Sequence, residues 1–255
     1  MRNPDELRAL VEEYVTDLAL TPELQAQAES VRYALVGGKR VRGVFCLATA
    51  EAAGVGAERA LPAAASLELV HAFSLVHDDL PALDNDAERR GRPSVWAAHG
   101  EATAILAGDA LFGEAVRLAL TYPTPEVARE LVRATLFMIG GQYLDITSTA
   151  ADQATLHKLK TGCLFAASVG LALWVAAVPE ADQRPWRDFG DELGLLFQIV
   201  DDILDGDGYV VTHGAEGARR LADEAAERAR RRLEAVPADT SVLEDIVDGL
   251  ATRTS

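Results

Sequence analysis

The stretch from Ala60 to Asp78, ALPAAASLELVHAFSLVHD, is apolar almost throughout, yet Glu68, His71, Ser74 and Asp78 recur in it at steps of three or four. That spacing sets the four polar side chains on one face of a helix whose remaining faces are apolar. The same arrangement returns between residues 192 and 205, where Gln198, Asp201 and Asp205 interrupt an apolar helix, and again at Gln142, Asp145 and Thr149. Polar groups turned into a closed core are strongly destabilising without partners. Stripes on buried helices therefore point to a shared polar cavity filled by a ligand. A stripe facing solvent is the alternative, but the apolar flanks leave little surface for it.

Helical spacing dominates elsewhere too. It predicts helices near 4–18, 22–36, 40–53, 60–79, 94–100, 102–120, 125–148, 152–178, 183–205, 215–235 and 240–251, separated by Gly and Pro. Only YVVTH, residues 209–213, reads as a strand. Neither a low-complexity linker nor a repeat of fixed period is present. The expected fold is all-α: a single domain over residues 1–255, built of many mostly antiparallel helices around a central cavity. In the helix at 215–235, Glu216–Arg220, Glu224–Arg228 and Glu227–Arg231 stand four apart, which predicts ion pairs along an exposed cladding helix.

The formal charge of −16 disfavours nucleic acid as a partner, because phosphate backbones select clustered cations. Cys46 and Cys163 lie in apolar segments without metal-ligand spacing, so they read as buried reduced thiols of a cytoplasmic protein. The opening MRNPDELRALVEEYV is charged throughout and has no apolar signal-peptide core. One uncharged run, Thr161 to Pro179, approaches membrane-spanning length. Its glycines and the Lys-Thr-Gly opening favour a buried helix, and no membrane span is expected.

Two acidic motifs carry the chemistry. In Asp78-Asp79-Leu-Pro-Ala-Leu-Asp84, Pro81 ends the helix and lets Asp84 curl back toward Asp78. In Asp201-Asp202-Ile-Leu-Asp205 the outer carboxylates share a helix face. Opposed aspartates resist joint ionisation unless cations intervene. Mg2+ suits them best, since it takes oxygen ligands and is usually held by one or two carboxylates plus substrate phosphates. Neither motif has the glycine and terminal glutamate of a calcium loop. Basic clusters complement the acids: Lys39, Arg40 and Arg42 in GGKRVRG, and Arg89, Arg90 and Arg92 in ERRGRP. Such groups suit a diphosphate. Lys160-Thr161-Gly162 opens the long apolar helix, where a phosphate can sit at the N-terminus.

Taken in order, GGKRVRG, HAFSLVHDDLPALDND, RRGRP, AILAGDAL, GGQYLD, LKTG and FQIVDDILD resemble the motif set of the trans-isoprenyl diphosphate synthases, the family of farnesyl and geranylgeranyl diphosphate synthases. The resemblance runs from about residue 30 to residue 235. It implies an isoprenoid-synthase-like fold, a homodimer, and Mg2+-assisted condensation of isopentenyl diphosphate with an allylic diphosphate. It further implies that Asp78 and Asp84 hold two Mg2+ ions, with Asp79 in the same motif. Asp201 would bind a third ion, supported by Asp202 and Asp205. Lys39, Arg42, His71 and Arg90 resemble the isopentenyl diphosphate pocket. Arg89, Lys160 and Gln198 resemble contacts to the allylic substrate. Chain length is expected to depend on Phe73 and Ser74, one turn below Asp78. Bulk at Phe73 resembles short-chain synthases of the bacterial farnesyl type, so a C15 product is expected ahead of C20.

The chain departs from the pattern after DDILD. The family usually continues with a glycine- and lysine-rich segment of the form GK…GK.T that supplies a lysine to the allylic diphosphate and helps close the site. Here GDGYVVTHGAEGARR follows, so a shortened loop near 206–214 without that lysine is expected. A genuine deletion and a segment missing from the sequence both fit. Two other functions share the fold: a terpene cyclase, against which DDILD argues, and a non-catalytic or weakly active regulatory subunit, which the intact acidic and basic motifs disfavour.

Overall fold

Asn3 begins the first helix by accepting from the backbone N–H groups of Asp5 and Glu6, while the Glu6 carboxylate accepts from Asn3 N at 2.8 Å. This reciprocal cap and Pro4 at the first turn satisfy the donors a helix start leaves free. Leu7, Val11 and Val15 then bury one face of α1, Pro4–Thr16. The structure, a computed structural model, describes residues 1–147 and 153–252. After α1 come α2 (Gln27–Leu35), α3 (Val41–Ala52), α4 (Ala57–Asp78), α5 (Val95–His99), α6 (Glu101–Ala119), α7 (Glu126–Thr147), α8 (Gln153–His157), α9 (Cys163–Val175), α10 (Arg184–Asp205), α11 (Gly208–Glu234) and α12 (Ser241–Ala251).

Helix α9 is the axis of the molecule. It is buried almost all round, and α3, α4, α7 and α10 pack about it. A single hydrophobic core runs from Leu7 to Ala251. By length and composition, Ala57–Asp78 and Thr155–Val175 could cross a membrane, but 61% and 56% of their apolar windows are buried among other helices. Cys46 and Cys163 are buried free thiols.

The predicted helices are present, except that the one expected over 22–36 is a short 3-10 turn, Pro22–Leu24, broken at Gln25 (φ +46°) before α2, and three further departures stand out. YVVTH is not a strand: residues 209–213 form the first turns of α11, and Gly214 (φ +72°) kinks that helix. Their β-branched residues mislead because Asp202 of α10 accepts from Tyr209 N and starts a helix there. The strands that do form, β1 (Glu88–Arg89) and β2 (Arg92–Pro93), make a hairpin turned by Arg90 (φ +57°) and Gly91 (φ +72°). Two consecutive left-handed residues match the twist of a two-residue hairpin. Third, the helix expected over 152–178 is interrupted by a π-turn at Lys158–Gly162. Thr149 of the third polar stripe lies outside the described residues.

The expected pairs on α11 also differ. None of Glu216–Arg220, Glu224–Arg228 and Glu227–Arg231 closes; Arg228 instead reaches Glu192 of α10 at 2.9 Å, and Arg230 reaches Asp248 of α12 at 2.6 Å. Ala218, Ala222, Ala225, Ala226, Ala229 and Leu233 are buried, so α11 packs tightly on α10 and its cations serve neighbouring helices.

The π-turn is gripped between two glycines. A Cβ on Gly141 would fall 2.6 Å from Lys160 N, and one on Gly194 would fall 2.9 Å from Gly162 Cα. Both obstacles are backbone, so neither can step aside. We expect Gly141→Ala to destabilise the protein by about 1–3 kcal/mol. Gly140→Ala, where a Cβ meets nothing within 4 Å, should be neutral or stabilising by up to about 1 kcal/mol. Urea unfolding of the two variants checks this, and equal midpoints would contradict it.

Candidate active site

The C-terminal end of α4 supplies the first carboxylates. Beyond Asp78 the chain turns through Leu80–Asp84, and Asp84 N donates to Asp78 O at 2.9 Å, so the proline-driven curl takes place. Asp78 is partly buried and its carboxyl is pushed up to about 6. Desolvation is the main cause, with Asp84 and Asp79 adding repulsion and Lys160 opposing it. Asp79 is committed differently: it is 2% exposed and accepts from Arg89 Nε at 3.0 Å and from Arg89 Nη2. Arg89 also reaches Asp86 at 3.1 Å. Asp84 is exposed.

The second motif lies near the end of α10, which stops at Gly206 (φ +74°). Asp201 is also pushed up to about 6, first by desolvation and then by Asp205, while Arg42 opposes. Asp205 is exposed. Asp202 is 4% exposed and fully engaged, accepting from Gln198 Nε2 at 2.6 Å and Tyr209 N at 2.8 Å. Gln198 thus points at the acidic motif.

The basic groups divide into scaffold and free cations. Arg40, left-handed at φ +51°, is buried; its Nε donates to Glu12 at 2.7 Å and its Nη2 to the Leu35 carbonyl. It holds the loop before α3 in place. Glu68 belongs to the same scaffold, accepting from Gly43 N at 2.8 Å with Arg40 3.9 Å away. Arg90 donates to the carbonyls of Val36 and Gly37, and a Cβ on Gly38 would sit 3.0 Å from its guanidinium. The glycine pair therefore receives Arg90. Arg92 lies over the Tyr33 ring at 3.6 Å. Lys39 is exposed.

Arg42 links the two halves. Its guanidinium lies 4.6 Å over the Phe165 ring, its Nε is buried without a partner, and burial lowers its pKa. It acts on Asp201 and, with Arg90, Arg40 and Arg89, on His71. Desolvation foremost, then these cations, hold the His71 imidazole well below its usual pKa, hence neutral. Ser74 donates to His71 O at 2.9 Å. Phe73 packs on Phe112 of α6 with ring centroids 5.7 Å apart, and on His77 at 4.9 Å.

On the π-turn, Lys160 Nζ reaches Asp145 at 2.6 Å and faces Asp78, with half-buried Thr161 beside it. Both amide atoms of Gln142 are buried and unpartnered. Two side chains had been given no role from the sequence. His157 precedes the π-turn, with Asp202, Asp207, Asp145 and Lys160 acting on it and its Nδ1 buried without a partner; Tyr209 lies against its ring at 5.5 Å. Position three before Lys160 was the one signal for His157.

Among the described residues, no three His, Cys, Asp or Glu side chains converge closely enough to hold a metal ion alone. The donors nonetheless fit Mg2+: all are carboxylate oxygens, repelling one another, and each set is short of the ligands a diphosphate supplies.

A sequence model of the family described as Polyprenyl synthetase matches residues 25–217. The geranylgeranyl diphosphate synthase of Cyanophora paradoxa is 41% identical over 193 residues, covering 69% of this chain and 64% of that protein. The chain thus spans under two thirds of that relative's length. The farnesyl diphosphate synthase of Bacillus subtilis (strain 168) is 32% identical over 260 residues, covering 88% of each. An apo crystal structure of a FPP/GFPP synthase from Zymomonas mobilis superposes with a TM-score of 0.86 at 28% identity, over 98% of this chain and 97% of that one. The matched span takes in both aspartate motifs and every cation that faces them, and the chain belongs to the polyprenyl synthetase family, the trans-isoprenyl diphosphate synthases.

Proposed function

We propose that the protein condenses isopentenyl diphosphate with dimethylallyl or geranyl diphosphate to a short trans-prenyl diphosphate. The observation that carries this reading is the pair of partly buried aspartates, Asp78 and Asp201, both held near pKa 6 and framed by Arg42, Arg89, Arg90 and Lys160. Such a site is arranged to bind cations and a polyanion together.

Asp78 and Asp84 on one side, and Asp201 with Asp205 on the other, would hold Mg2+. The metal supplies positive charge against the departing diphosphate. Lys160 would leave Asp145 for the allylic diphosphate, with Arg89, anchored by Asp79, beside it. Gln198, oriented by Asp202, completes that side. Arg42, Arg90 and Lys39 would receive isopentenyl diphosphate, with His71 neutral and able to donate one hydrogen bond. The apolar walls of α4 and α9 keep water from the allylic cation once the C–O bond breaks. The isopentenyl double bond attacks that cation, and a proton leaves the adjacent carbon, with diphosphate as acceptor. No side-chain nucleophile takes part.

A C15 product is favoured, on the bulk of Phe73 beneath the first motif. The relatives above include both farnesyl and geranylgeranyl synthases, so they do not choose between C15 and C20. We further propose a cytoplasmic homodimer; exposed Ile105 and Leu106 on α6, and Leu136, Ile139, Tyr143 and Ile146 on α7, offer the apolar face such a contact needs. One observation favours a second reading, a non-catalytic or weakly active regulatory subunit: no lysine stands in residues 206–214 after the second aspartate motif.

Incubation with Mg2+, isopentenyl diphosphate and each allylic diphosphate tests the proposal. Linear farnesyl diphosphate is expected, and Asp78→Asn or Asp201→Asn should each slow turnover about 100-fold or more. Near-normal rates in either variant would contradict the assigned roles, and turnover only with a partner synthase would favour the second reading. Phe73→Ala should shift product toward C20; an unchanged product with a lowered melting temperature would make Phe73 a packing residue alone.

The raised carboxyls also predict a pH dependence. In metal-free protein the folded state binds these protons near pH 6, whereas the free side chains bind near 3.8. Their contribution to stability is therefore present below about pH 4 and lost as pH rises through 6. Urea midpoints in EDTA should fall more steeply across that window for the wild type than for the Asp78→Asn/Asp201→Asn double variant. Parallel curves would contradict the burial assigned to both.

A further inference from the structure

The segment that replaces the family's glycine- and lysine-rich loop is fastened at both ends of the site. Tyr209 N donates to Asp202 Oδ2 at 2.8 Å, and Gly208 reaches this position at φ +45°, where a Cβ would lie 1.9 Å from the same oxygen. Only glycine permits so close an approach. The other oxygen of Asp202 accepts from Gln198 at 2.6 Å. Meanwhile the Tyr209 ring lies against His157, centroids 5.5 Å apart, and His213 lies 5.8 Å from Tyr209 on its own helix. His157 leads directly into the π-turn that carries Lys160. Tyr209 thus touches the support of Gln198 through its backbone and the support of Lys160 through its ring.

Resting on the proposed function, we propose that Tyr209 is a positioning residue: a fixed clasp that ties the second aspartate motif to the Lys160 turn and so aligns Gln198 and Lys160 on one diphosphate. A mobile closing loop needs substrate to order it. This clasp is closed beforehand, because its two attachments are made within the protein. The absent lysine is then compensated by preorganisation of the groups that remain, not by another cation.

Hydrogen exchange and steady-state kinetics on the full chain test this with Tyr209→Ala and Tyr209→Phe. The Ala variant keeps the backbone bond to Asp202 but loses the ring contact. It should speed exchange at the 157–162 amides, leave α1 unchanged, and raise KM for the allylic diphosphate about 10-fold with a smaller change in kcat. The Phe variant keeps the ring and should move both readouts back toward the wild type. Unchanged exchange at 157–162 in the Ala variant would overturn the clasp. Faster exchange with an unmoved KM would overturn the positioning role. Exchange needs no turnover, so a protein that forms no prenyl product would sink the proposed function while leaving the clasp decided by exchange alone.

Discussion

Burial of aspartates at the ends of two helices, with their mutual repulsion second, is the constraint around which this molecule is arranged. Asp78 and Asp201 are carried into partial burial by α4 and α10, whose apolar faces join the core around α9. There they cannot ionise at ordinary carboxylate pKa values. The fold tolerates this frustration because surrounding cations, Lys160 for one and Arg42 for the other, offset part of it. Under the proposed function, the remainder is what draws positive charge to the site.

Much of the rest is support for those cations. Arg40, Glu12 and Glu68 fix the start of α3 so that Arg42 projects over Phe165. The Gly37–Gly38 pair accommodates Arg90, and Gly141 and Gly194 pin the π-turn that presents Lys160. Side chains of one motif therefore do unlike work. Arg40 and Asp79 hold other residues, while Arg42 and Asp78 are the members left for the proposed substrate and metal.

The helical architecture was legible because period and apolarity agree over long windows, and the polar stripe at Glu68, His71, Ser74 and Asp78 announced the site. The stripe could not say which of its members is scaffold; Glu68 is, through Gly43 N and Arg40, and that depends on tertiary contacts with α3. YVVTH misread for a related reason: local propensity favours a strand, and a side-chain cap from Asp202, seven residues earlier at the end of α10, overrides it. The π-turn was hidden because it arises from backbone approach at two distant glycines. His157 and Tyr209 meet across a gap of more than fifty residues that no spacing rule connects.

The central claim is that the two acidic clusters form a cation site only together with a diphosphate. Calorimetric titration of Mg2+ at pH 7, with and without inorganic pyrophosphate, addresses it directly. The account predicts weak binding by the protein alone and tight binding once pyrophosphate is present, with the gain abolished when Asp78 and Asp201 are both replaced by Asn. Equal Mg2+ affinity with and without pyrophosphate, or a double variant that still shows the gain, would contradict it.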